Sequence, residues 1–249
     1  MDYSIAESYT LPSHGKIYET PINPEVKIRS MTTIEEMKRL SKSERPYKNM
    51  AEIIDDCLIE KPEISAYDMC IGDYQFLLHK LRIVTYGADY QLASTCPFCG
   101  HVNTDTINLE DLRVLEYSPE LEKYREFDLP KSGKHIKIKV QTPRILDNIT
   151  VQSRERNRQS KSSGDFTYLY TLMNLIDVVD DTKLNPIQKE DFVTRLEMAD
   201  ANMIIQSANK LNTSVGLDTE LINICDECGL TYTNSFRITG EFFGPRIYI

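Results

Sequence analysis

The chain has 249 residues, 41% apolar and 27% charged, with a formal net charge of −9. That length holds one or two domains with a real core, and the composition is that of an ordinary globular protein. No apolar run approaches the roughly 20 residues that span a bilayer, and the negative balance opposes nucleic-acid binding, because a phosphate backbone demands clustered cations.

Residues 1–24 are rich in turn formers and prolines: Leu11-Pro12-Ser13-His14-Gly15-Lys16-Ile17-Tyr18, then Pro21 and Pro24. Proline fixes φ and removes a backbone donor, so this stretch predicts an extended N-terminal arm. Its first ten residues carry Asp2 and Glu7 and no basic residue, which is unlike a secretory signal and points to a cytoplasm. Residues 25–115 form the second segment. Residues 26–29 alternate like a short strand. Thr32 with Glu35 makes a capping box for a helix over 32–40. Met50, Ile53, Ile54, Cys57 and Leu58 share one stripe of a helix over 47–59, and Phe76, Leu77, Leu81 and Val84 share a face over 73–84, with Gly87 as the stop. The stretch Cys96-Pro97-Phe98-Cys99-Gly100 then lies between strand-like residues 90–95 and 102–109.

Residues 116–216 predict a β-hairpin (126–129 and 135–140) followed by helices near 143–158, 166–179, 186–197 and 199–211. A basic stretch holds Arg154, Arg156, Arg158 and Lys161; it reads as a solvated helix end, the alternative being a patch for an acidic partner. Residues 217–249 hold strands at 220–224 and 231–239 around Cys225-Asp226-Glu227-Cys228-Gly229, then a tail with Phe242, Phe243, Ile247 and Tyr248. Arms and tails can bind partners by adding a strand to a sheet edge. That makes Leu11, Pro12, Tyr18, Phe242, Phe243 and Tyr248 candidate partner-binding residues; the alternative is that both ends pack on their own domain.

Cysteines carry the strongest signal. Disulfides are rare in a reducing cytoplasm, so paired cysteines read as metal ligands or redox sites. Two C-x-x-C pairs, each followed by glycine and flanked by strands, predict one structural Zn2+ held by Cys96, Cys99, Cys225 and Cys228. A thioredoxin-like pair would stand alone at a helix start. Iron–sulfur sites use denser runs, and a catalytic zinc keeps a ligand position open. His101 is a weaker competing ligand, and Cys57 and Cys70 read as core residues. The gap of 125 residues between Cys99 and Cys225 costs about 5 kcal/mol to close, which roughly 10–16 kcal/mol of zinc binding offsets. The expected fold is therefore α+β: a zinc-ribbon-like β module with N-terminal helices and a large, mainly helical insertion between the two zinc knuckles. No Walker A loop, G-x-G-x-x-G, G-x-S-x-G or H-E-x-x-H occurs, so no enzyme is expected.

Ordered motifs complete the reading. Leu11-Pro12-Ser13-His14-Gly15-Lys16-Ile17-Tyr18, Gly72-Asp73-Tyr74-Gln75-Phe76-Leu77-Leu78-His79-Lys80-Leu81-Arg82 and Tyr86-Gly87-Ala88-Asp89-Tyr90 resemble the L-P-S-x-G-x-x-Y, G-D-x-x-F-L-L-x-x-L-R and Y-G-x-x-Y motifs of the T4-type phage baseplate hub assembly proteins, over residues 9–115. The resemblance implies a non-enzymatic factor that helps build the central hub of a contractile-tail baseplate in the cytoplasm of the infected cell, with hub proteins as partners and self-association as a homo-oligomer left open. A minor structural component of the hub in the virion tail, and a zinc-ribbon regulator binding nucleic acid, are the alternatives.

Overall fold

The structure, a computed structural model, describes residues 5–159, 165–235 and 240–243. The N-terminal part contains β1 (Ala6–Thr10), β2 (Glu25–Arg29), α1 (Thr33–Leu40), α2 (Pro46–Cys57), β3 (Leu58–Glu60) and α3 (Ile71–Tyr86). Two ribbon strands follow, β4 (Asp89–Thr95) and β5 (Val102–Asn108), then the short β6 (Val114–Leu115). The middle of the chain holds β7 (Glu126–Asp128), β8 (His135–Ile138), α4 (Pro143–Gln159), α5 (Thr167–Leu175), β9 (Ile176–Val179), α6 (Pro186–Thr194) and α7 (Met198–Thr213). The chain returns through β10 (Gly216–Leu217) to a second ribbon, β11 (Glu220–Ile224) and β12 (Thr231–Ser235). The architecture is α+β with several small antiparallel sheets: β1-β2-β3, β7-β8-β9 and three two-stranded ladders. No helix among the described residues is long and apolar enough to cross a membrane.

Local chemistry explains most of the elements. Thr32 and Glu35 complete the capping box that starts α1, and Asn185 and Gln188 do the same for α6, each satisfying two orphan amide donors. The stripe on α2 buries Ala51, Ile53, Ile54 and Cys57 against α3, whose Leu77 and Leu81 are fully buried. A second core fills the middle of the chain, built from Leu129, Ile136 and Ile138 of the hairpin and Leu172, Leu175 and Ile204 of the helices.

Two expectations need correction. The N-terminal stretch is not a free extended arm. Its first strand, β1, pairs with β2 from Ala6↔Arg29 to Thr10↔Glu25. The proline-rich turn after it then dives into the protein, with Leu11 fully buried and Ile17 nearly so. Prolines break helices but do not forbid burial, and Leu11, Ile17 and Ile22 give this turn an apolar side. Gly15 makes the tight path possible: at φ +69° its Cα passes so close to the Ile22 carbonyl that a Cβ would lie 2.0 Å from the oxygen. The second correction concerns residues 166–179. The helix ends at Leu175 and Ile176–Val179 is β9, a third strand beside β8. Ile176, Val178 and Val179 are β-branched and fit a sheet better than a helix end.

The region between the two ribbons is closed at its base by backbone. β6 pairs with β10 through Leu115↔Gly216 and Val114↔Leu217. Gly216, at φ +119°, lies directly against Gly72 at the start of α3, where a Cβ on Gly72 would sit 2.1 Å from the Val215 carbonyl oxygen. Only glycine fits that crossing of helix and chain.

His79 stands inside the N-terminal core, 1% exposed and stacked on Phe242 at 6.5 Å. Its Nε2 lies 2.8 Å from the Leu109 carbonyl, and its Nδ1 has no partner. The neutral tautomer with the proton on Nε2 donates to that carbonyl. Burial, and then the charge of Lys80, pulls the pKa from 6.5 down to about 4. The sign follows from linkage. Below about 6.5 the unfolded chain takes up a proton that the folded chain refuses until about 4, so stability falls as pH drops through that window, by about 3 kcal/mol in all. In a His79→Gln variant this loss should be absent. The difference between wild-type and variant unfolding free energies, followed from neutral pH to the acid end of the window, isolates the effect from other acid-sensitive groups; parallel curves would refute it.

Candidate metal centre

The two C-x-x-C turns join the strands of the two ribbons, Cys96 and Cys99 between β4 and β5, Cys225 and Cys228 between β11 and β12. Both knuckles have the same backbone. Cys96 N–H donates to His101 O at 2.8 Å and Gly100 N–H to Cys96 O at 3.0 Å. Cys225 N–H donates to Leu230 O at 3.0 Å and Gly229 N–H to Cys225 O at 2.9 Å. The closing glycines sit at φ +77° and +70°. A Cβ there would meet nothing within 4 Å, so it is the left-handed backbone, not lack of space, that calls for glycine.

The four thiols converge. Their Sγ atoms all lie within 4.8 Å of one another, with Cys96–Cys228 at 3.8 Å and Cys99–Cys225 at 3.5 Å. These are free cysteines, far outside S–S bonding distance. Four sulfurs placed about 2.3 Å from a central ion in a tetrahedron stand ~3.8 Å apart, so the donor set and its spacing fit one four-coordinate metal ion. Cys96 and Cys225 are buried at 1% exposure while Cys99 and Cys228 face solvent. The backbone N–H groups of Cys228 and Glu227 draw the Cys225 thiol down, while desolvation and hydrogen bonding among the crowded thiols raise Cys99 and Cys228; amide donors of this kind favour a thiolate. His101 contributes its carbonyl to the knuckle and is not among the clustered ligands.

A polar cluster beneath the thiols locks ribbon to ribbon. The Tyr232 hydroxyl lies 2.7 Å from Ser94 Oγ and accepts from Asn103 Nδ2 at 2.7 Å. Asn223 Nδ2 donates to Ser94 Oγ at 3.3 Å, and Asp226 N–H donates to Asn103 Oδ1 at 3.0 Å. Sequence reasoning missed these four side chains. A signal existed: Ser94 and Asn223 each stand two residues before a first cysteine, and Asn103 and Tyr232 each stand seven after one. The two halves of the cluster are thus equivalent positions of two similar ribbons facing each other.

The candidate partner-binding residues lie elsewhere and mostly inside. Leu11 and Pro12 are buried, as are Phe242 and Phe243, both 1% exposed. Phe242 packs on Tyr90 at 5.1 Å, and its carbonyl accepts from Arg82 Nε at 3.1 Å. Side chains so enclosed serve the core of their own chain. Tyr18 is half-buried, and Tyr248 lies outside the described residues, as does Lys161. In the basic stretch, Arg156 pairs with Glu190 at 3.2 Å and covers the Phe166 ring.

Two of the three motifs that carried the resemblance meet at one buried point. Asp73, 0% exposed at the start of α3, accepts from Ser13 N–H at 2.9 Å, from the Ser13 hydroxyl, and from Tyr18 OH at 2.7 Å. Its own N–H is capped by Cys70 Sγ at 3.5 Å. Burial pushes its carboxyl up, and the donors from Ser13 and Tyr18 oppose that shift.

Comparisons with curated proteins and with solved structures found no match. A family model does match: the one described as T4 bacteriophage base plate protein aligns with residues 5–244, nearly the whole chain, so this protein belongs to the T4 bacteriophage base plate protein family.

Proposed function

We propose that the protein is a non-enzymatic assembly factor for the central hub of a contractile phage baseplate, working in the cytoplasm of the infected cell through protein–protein contacts. The family match over residues 5–244 carries this reading. In it, one structural zinc ion, bound by Cys96, Cys99, Cys225 and Cys228, fixes the ribbons. Four thiolates fill the tetrahedral shell and leave no position for a substrate or a reactive water, so the metal serves stability. The small span of the thiol cluster suits a single ion better than a multi-iron cluster, and soft thiolates favour zinc among common divalent ions.

The test combines metal and partner analysis. Protein purified without chelator is expected to hold one zinc per chain. A tagged copy produced during infection should retain baseplate hub proteins and be missing from finished tails. Retention in purified tails would instead make it a structural component of the hub. Co-purification with nucleic acid and no baseplate protein would sink the proposal.

A further inference from the structure

The outer face of the second ribbon is built unlike that of the first. In β11 and β12 the register Ile222↔Thr233 and Ile224↔Thr231 puts these four side chains on one face, with Glu220 opposite Ser235 beyond them. All six are exposed, Ile222 at 78% and Ile224 at 67%. The alternate residues Asn223 and Tyr232 point the other way and bond to Ser94 and Asn103 of the first ribbon. The isoleucines therefore face away from the ribbon pair. At the equivalent positions the first ribbon has Ala93 and Thr95, opposite Thr104 and Val102. A strand facing water is well served by threonine, which is as β-branched as isoleucine and hides its methyl group beside a hydroxyl. Solvation therefore explains the outer face of the first ribbon and not that of the second.

Charge on the ribbons is one-sided. Stretches 83–112 and 211–235, which contain both ribbons, hold eight acidic residues and no lysine or arginine. They account for nearly all of the chain's net charge of −9. Around the two isoleucines, Glu220 precedes and Asp226 and Glu227 follow; all three are exposed and form no ion pair among the described residues. Among those residues β11 and β12 pair only with each other, so each strand keeps an edge open to a further extended segment.

We infer that this face docks a partner-protein segment that is both basic and apolar. Its apolar side chains cover Ile222 and Ile224, and its lysines or arginines meet Glu220, Asp226 and Glu227. Like charge disfavours a second copy of the same face, a nucleic acid and an anionic membrane. The apolar contact supplies the holding energy, and the acidic surround steers encounter and selects the partner. The inference goes beyond the hub assignment, since a basic segment fits here whichever protein carries it.

The test uses the full-length protein purified without chelator and a fluorescent peptide of alternating lysine and valine. Glutamate–valine and all-lysine peptides of equal length are the controls. Fluorescence anisotropy should show the lysine–valine peptide binding at least about tenfold more tightly than either control, with affinity falling as salt rises. Ile222→Thr and Ile224→Thr keep a β-branched side chain on an exposed face, so the ribbon should fold; each should weaken binding about tenfold. Glu227→Gln should weaken it less, about threefold, and flatten the salt dependence. Ile187→Thr, at an isoleucine 81% exposed on α6, should leave binding unchanged. No binding by wild type, equal affinity for all the peptides, equal effects of the Ile187 and Ile222 variants, or self-association that Ile222→Thr abolishes would each overturn the proposal. Hub proteins take no part in the measurement, so those outcomes leave the hub assignment standing.

Discussion

Cys225→Ser is expected to abolish binding of the proposed zinc ion and melt both ribbons while leaving the helices standing. Serine is a poor ligand for a thiolate-bound zinc, and three remaining thiols lose both charge and geometry. Structural zinc contributes roughly 10–16 kcal/mol of apparent binding energy, so the ribbons have little else of comparable size. Their outward residues show why: Ile222 is 78% exposed and Ile224 67%, and each ribbon has only two strands. Isolated two-stranded hairpins are marginal in water. The polar cluster of Ser94, Asn103, Asn223 and Tyr232 adds a few hydrogen bonds, each worth about 1 kcal/mol net. The middle of the chain behaves differently. It owns a separate apolar core, and the β6–β10 ladder closes its base independently of the cysteines. Amide hydrogen exchange should therefore lose at least about a hundredfold protection in β4, β5, β11 and β12, with α4 to α7 unchanged. Uniform loss across the chain would show instead that the metal clasps the whole region between the ribbons. Unaltered metal content would rule out the site itself.

That contrast marks what a sequence can and cannot reveal. C-x-x-C-G twice over was readable, because a metal site is built from residue type and close spacing. The base ladder was not, since Val114, Leu115, Gly216 and Leu217 form strands of two residues each, too short for any period to register. The capping box at Thr32 was local and legible. The N-terminal turn was misread for the opposite reason. Its prolines and glycine look like solvent-loving loop, and the burial of Leu11 depends on a partner, α3, some 60 residues away. The apolar residues of 166–179 fitted a helix as well as a strand until β8 offered an edge at Val179↔Ile136. Motif likeness located Ser13, Tyr18 and Asp73 without saying that they touch.

Because they touch, Asp73→Ala should be among the most destabilising single changes in the N-terminal core, costing about 3–5 kcal/mol, as expected when several buried donors lose a shared acceptor. The substitution strands three donors at once: the Ser13 amide, the Ser13 hydroxyl and the Tyr18 hydroxyl. Each unsatisfied buried donor costs about 1–3 kcal/mol. It also frees the turn that carries Leu11 and Ile17 into the core. Single-partner variants should cost less, since Ser13→Ala and Tyr18→Phe each leave the carboxylate with other donors. The burial that pushes the Asp73 carboxyl up subtracts from its net worth, which is why Asp73→Asn is informative. Asparagine removes the buried charge but turns an NH2 group toward one of the donors, so its cost should fall between those of Tyr18→Phe and Asp73→Ala. Urea unfolding, read through the tyrosines of this core, gives the four free energies. A double-mutant cycle on Ser13 and Asp73 should return coupling above about 1 kcal/mol. If Asp73→Ala costs under about 1 kcal/mol, the motif is not held together by this carboxylate, and the close fit of Gly15 against Ile22 and the burial of Leu11 and Ile17 must carry the packing of the N-terminal turn instead.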